Sequence, residues 1–66
     1  MKKVLKFCQS NGYEVIISFG NGMPNYDGII NDVDGDTFTV YSRGMYITLF
    51  IKDIVSISSK YKEKIW

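Results

Sequence analysis

Sixty-six residues, 45% of them hydrophobic and 15% aromatic, suit one small folding unit and exclude a second domain, a long linker or a disordered chain. One cysteine and no histidine exclude an internal disulfide and thiolate–imidazole metal sites, so a core this small calls for self-association as its support. Eight basic against seven acidic side chains leave a formal charge of +1, so the placement of charge rather than its total bears on partners.

The first element is a short helix over residues 2–10. Val4, Leu5, Phe7 and Cys8 fall within one arc of a 3.6-residue wheel, with Lys2, Lys3, Lys6, Gln9 and Ser10 opposite. Asn11 and Gly12 supply a left-handed stop. Two turns are too few to stand alone, so this helix must lie on something.

From Tyr13 the period changes to two, and five strands follow. Tyr13–Phe19 is the first, with Tyr13, Val15, Ile17 and Phe19 on one face; Gly20 to Pro24 ends it. Tyr26–Val33 is the second, where the interior Gly28 marks a bulge or a tight bend. Asp34-Gly35 is the strongest hairpin signal and leads into Asp36–Ser42. Arg43-Gly44 turns the chain into Met45–Ile51, and Lys52-Asp53 leaves so little room before Ile54–Ser58 that the chain must bend into another sheet position there. A mixed tail, Lys60 to Trp66, closes the chain.

These elements are too few for a two-sheet sandwich. The expected fold is all-β: a small five-stranded, strongly bent barrel with a short N-terminal helix. It forms a single domain over 1–66, with the helix at about 2–10, the barrel at about 13–58 and the tail at 59–66. Val15-Ile16-Ile17 and Ile47 to Ile51 carry no charge, unlike the guarded edges of isolated sheets. They are therefore expected to be sheet edges that pair between copies in a closed ring.

The residues also carry a resemblance. The N-terminal helix, Asn21-Gly22 after the first strand, Gly28, Val33-Asp34 before the hairpin and Lys52-Asp53-Ile54-Val55-Ser56 together resemble the Sm and Sm-like (Lsm) family, most of all its bacterial Hfq branch. The last stretch is similar to the Hfq sequence Lys-His-Ala-Ile-Ser. The resemblance implies an Sm-like ring of roughly six or seven subunits, closed by pairing of the fourth strand with a neighbour's fifth. It also implies binding of single-stranded RNA around the pore. Carried over residue by residue, it assigns Lys52, Asp53 and the loop Gly35, Asp36 and Thr37 to the pore side, and Gln9 to the helix where Hfq also has Gln. Three positions depart from the Hfq pattern. Asp53 stands where Hfq has His, no aromatic follows Asp34 in the hairpin loop, and Ser18 replaces a stacking Tyr. An aromatic stack contributes about 1–3 kcal/mol per base, so these changes point away from Hfq's own RNA preference.

Other chemistry is poorly supplied. Asp32, Asp34 and Asp36 alternate as in the first half of a calcium loop, but Thr37 and Arg43 stand where that loop needs Gly and Glu. A polar hairpin tip, with Asp34 bonding nearby backbone donors, is the expected alternative. Cys8 has no histidine to activate it and is expected as a small buried hydrophobe. Without a nucleophile–base pair or a phosphate-cradling loop, no catalysis is expected, and no cofactor or metal. The aromatic residues are read first as strand formers, with Tyr41, Tyr46 and Phe50 open to a ligand or a neighbouring subunit.

Charge placement is more telling. Between Phe7 and Ser42 stand five acids and no base, while Lys2, Lys3 and Lys6 lie at one end and Lys60, Lys62 and Lys64 at the other. These are either ordinary solvated ends that keep the protein soluble or, once a ring forms, helix lysines multiplied into a basic surface that attracts phosphates. With no apolar run of membrane-spanning length and no secretory signal, a cytoplasmic protein that avoids membranes is expected. The resulting expectation is a non-catalytic homo-oligomeric ring that binds single-stranded RNA, in post-transcriptional regulation. A small-barrel assembly or adaptor module that binds protein is the alternative.

Overall fold

A computed structural model of the protein describes residues 1–20, 22–61 and 63–66. Helix α1 spans Lys2–Asn11. Strands β1 (Glu14–Phe19), β2 (Tyr26–Asp34), β3 (Thr37–Ser42), β4 (Met45–Phe50) and β5 (Ile54–Ser59) follow, with a single 3-10 turn, Ile51–Asp53, between the last two. All strand pairings are antiparallel, in the order β4-β3-β2-β1-β5. The molecule measures 29 × 27 × 25 Å, so the sheet is curled around its core rather than laid flat.

The helix ends in a Schellman motif. Gly12 adopts φ +63°, its N–H donates to the Gln9 carbonyl at 3.2 Å, and the Tyr13 N–H donates to the Cys8 carbonyl at 3.1 Å. The apolar contact that usually accompanies this motif is also present: Phe7 and Tyr13 meet edge to face with centroids 5.7 Å apart. Two expectations are corrected by this cap. Tyr13 is consumed by the cap instead of opening β1, and Phe7 stays exposed against Tyr13 while Leu5 and Cys8 alone are fully buried. With lysines and no acid in its first turn, the helix works against its own dipole, so packing must hold it.

The core draws Leu5 and Cys8 from α1, Val15, Ile17 and Phe19 from β1, Ile30 from β2, Phe38 and Val40 from β3, and Ile54 and Ile57 from β5. Each large aliphatic side chain fully buried in this way contributes about 1.5–3 kcal/mol. The period-two reading of β1 is realised, with Val15, Ile17 and Phe19 inside.

The edge expectation is half corrected. β1 is paired on both sides, by β2 and by β5, so Val15-Ile16-Ile17 is interior. The edges are β4, as expected, and β5. Of the two alternatives expected at Gly28, a bulge or a tight bend, the bulge is not there: a Cβ would collide with the Tyr41 carbonyl of β3, so glycine permits close approach of two strands. The bulge lies three residues on, where the register slips between Ile30↔Val40 and Asp32↔Thr39 and leaves Asn31 as the extra residue. A second irregularity, between Ser18 and Phe19, sets Val55 apart in β5.

Both hairpin turns are two residues long. Gly35 at φ +60° occupies the first central position of the β2–β3 turn, and Asp34 stays in the strand opposite Thr37, so the turn is Gly35-Asp36 rather than Asp34-Gly35. Arg43 and Gly44 both have positive φ, 52° and 82°, as a type I′ turn requires. Of the Asn21-Gly22 pair, Asn21 lies outside the described residues, as does Lys62 of the tail.

Candidate functional site

The β2–β3 turn comes together with the start of the helix and the end of β4. Met1, Lys2, Gly35, Asp36, Phe50, Ile51 and Lys52 line one half-open hollow. Two backbone features build it. The β3–β4 register places Thr37 opposite Phe50, and the Ile51 N–H donates to the Asp36 carbonyl at 2.9 Å, tying the hairpin tip to the 3-10 turn. The Thr37 hydroxyl donates to the Asp34 carbonyl at 3.1 Å, so the turn is braced through the main-chain oxygen of Asp34.

Lys52 projects from the 3-10 turn with its Nζ 5.7 Å from the centroid of the exposed Phe50 ring. Cation and aromatic face are thus adjacent, and Lys2 also lines the hollow. This arrangement offers a positive charge for a phosphate, a flat apolar face, and exposed backbone at a glycine turn. It offers no nucleophile beside a base.

The candidate residues do not all gather here. Gly35, Asp36 and Lys52 share the hollow, and Thr37 flanks it through Phe50. Asp53 faces a neighbouring hollow with Phe19, Gly20, Met23, Ile54 and Val55, whose rim Lys52 also touches. Gln9 serves elsewhere: its Nε2 donates to the Asn31 carbonyl at 2.7 Å, a group at the bulge. Helix and β2 are pinned together by that bond. Lys3 and Lys6 are exposed on the helix. Lys60, by contrast, is engaged with Glu14 at 3.0 Å, and this hydrogen bond and ion pair hold its ammonium above its ordinary pKa.

Among solved structures, the fold is similar to the crystal structure of the pleiotropic translational regulator Hfq, with a TM-score of 0.74 and 25% sequence identity over 83% of this chain and 90% of that one. The protein has the Sm-like fold in its Hfq-like form. No family model matches the sequence, and the search of curated proteins found no match. The Hfq-like frame thus rests on three-dimensional likeness, with the helix and the five antiparallel strands in common.

Within this Hfq-like fold the three departures have physical places. Gly35-Asp36 is a bare two-residue turn, Asp53 lies across the 3-10 turn from the hairpin hollow, and Ser18 is half-buried in β1 opposite Ser56. Phe50 is the residue that the sequence reading placed too loosely. Counting back pair by pair from the two-residue Arg43-Gly44 turn sets Phe50 beside Thr37, so the signal was present in the turn length. Cys8 is fully buried, and burial raises its thiol pKa above the ordinary 9.0, as a small core residue requires. No helix among the described residues is long and apolar enough to cross a membrane.

Proposed function

We propose that the protein is a non-catalytic Sm-like homo-oligomeric ring of six or seven subunits that binds single-stranded RNA. The observation that carries this reading is the hollow that unites Lys52, Gly35 and Asp36 with Lys2 and the exposed Phe50 ring. Lys52 and Lys2 would meet phosphates, the Gly35-Asp36 turn would present backbone groups to a base edge, and Thr37 would brace that turn. Gln9 would act by seating the helix, and Asp53 would repel phosphate from the far side of Lys52. Repetition around a ring would join Lys2, Lys3 and Lys6 into a continuous basic surface. A role in post-transcriptional regulation in the cytoplasm agrees with Hfq's description as a translational regulator.

Native mass measurement tests the ring, and RNA titration against salt tests the ligand. Binding should be chiefly electrostatic, with each phosphate contact contributing about 0.7 to the log–log salt slope. Replacing Lys2, Lys3 and Lys6 together by Gln should flatten that slope and leave the mass of the assembly unchanged. Lys52→Ala should instead alter the preference among homopolymers. Failure of oligo-U, oligo-A and mixed RNA to bind at low salt would sink the RNA reading and favour a protein-binding adaptor.

A further inference from the structure

β4 and β5 are adjacent in the chain but stand at opposite edges of the sheet, and their outer sides are in different conditions. Among the described residues, β4 is hydrogen-bonded only to β3, and Met45–Phe50 contains no charged residue or proline to guard its free side. The outer side of β5 is occupied by residues 63–66 of the same chain. The Ile57 carbonyl accepts from the N–H groups of both Ile65 and Trp66, each at 2.9 Å; the Ile57 N–H donates to the Trp66 carbonyl at 3.4 Å. The Ser59 N–H donates to the Glu63 carbonyl at 2.8 Å, and Ser58 pairs with Lys64 as an antiparallel bridge. Ile65 packs partly against the core behind this edge.

We propose that residues 63–66 are a displaceable edge strand that holds β5 until the β4 edge of a second copy takes its place. This rests on reading the protein as a ring of copies. Three features mark the tail as the weaker occupant. Its hold centres on two residues of β5, one carbonyl serves two donors, and none of its backbone bonds among the described residues reaches Val55. A six-residue β4 offers a longer ladder than the two β5 residues whose backbone groups residues 63–66 engage. What favours the tail is its tether, since a short linker presents it to β5 at an effective concentration on the order of millimolar. An incoming strand overcomes that advantage only when copies are concentrated or when ring closure makes the last pairing intramolecular as well. Each copy brings one bare edge and one covered edge, so the tail sets the concentration at which assembly begins.

Trp66 is the only tryptophan, which makes its fluorescence a reporter of the tail. Two variants move the tail in opposite directions. Ile65→Pro removes an N–H that bonds Ile57, and should lower the concentration at half-assembly about tenfold or more in sedimentation measurements. The double variant Ser58→Cys with Lys64→Cys should close a disulfide across the bridge, because antiparallel partners lie within its span. When oxidised it should stay a single copy; a reductant should restore assembly, with a shift of Trp66 emission. The pinned pair decides the matter if Ile65→Pro fails to fold. Assembly of the oxidised variant at the same concentration as the reduced one would overturn the tail proposal and leave the ring standing. Single copies at every concentration, in the unaltered chain, the reduced variant and a folded Ile65→Pro variant, would overturn the ring itself and the tail proposal with it.

Discussion

β5 sends Ile54 and Ile57 into the core and has the chain's own tail bonded along its outer side, whereas β4 buries no residue completely and has nothing along its outer side among the described residues. Ile47 and Leu49 of β4 are half-buried, and the strand keeps its place through β3 pairs such as the hydroxyl contact between Thr39 and Thr48 at 3.2 Å. One edge is therefore anchored by fully buried side chains, and the other by half-buried side chains and its pairing with β3. A strand of the second kind opens at low cost and has a complete row of donors and acceptors to offer, which suits it to joining another chain.

The contrast is open to direct attack. Ile57→Ala should cost about 3–4 kcal/mol in denaturant unfolding, because it opens a cavity behind β5, and Leu49→Ala should cost less than half as much. Equal losses would show that the two edges are anchored alike. Lysine in place of Leu49 or Ile47 should abolish assembly on a native mass measurement, by bringing a charge to the edge or into the core beneath it. Unchanged assembly of a folded Leu49→Lys variant would remove β4 from the interface.

Smaller effects sharpen the picture at either end of the sheet. Cys8→Ser should cost about 1–2 kcal/mol, since a buried hydroxyl replaces a small apolar group on the helix side of the core. The thiol also gives a pH test. Its folded pKa is raised, so its contribution is complete below the ordinary value of 9.0 and is lost as pH rises from there through the folded pKa. Thermal melts between pH 8 and 11 should show an alkaline decline that is reduced in Cys8→Ser. Rapid labelling of native Cys8 by a thiol reagent would contradict this packing. At the bare edge, Arg43→Asn should raise stability by a few tenths of a kcal/mol, because Asn tolerates the positive φ of the β3–β4 turn better and the exposed Asp27 pair adds little. A loss of stability there would mean that the 3.5 Å ion pair matters more than the turn geometry.

Much of this fold is legible from local chemistry. The helix, its glycine stop and the alternating core of β1 and β3 follow from side-chain periodicity, which reports which face of an element turns inward. Of the candidate site, the hairpin loop and Lys52 were legible as short motifs. Phe50 required the register, Gln9 proved to be a helix anchor, and Asp53 turned toward a different hollow.

What the residues by themselves determined is thus the set of elements and their buried faces, because those depend on interactions within a few positions along the chain. Tertiary structure alone decided that β1 lies inside the sheet, that the bulge falls at Asn31 rather than Gly28, and that the tail returns to β5. Those choices are made by main-chain N–H and C=O groups, which are nearly the same for every residue. Only the folded chain establishes which of them meet.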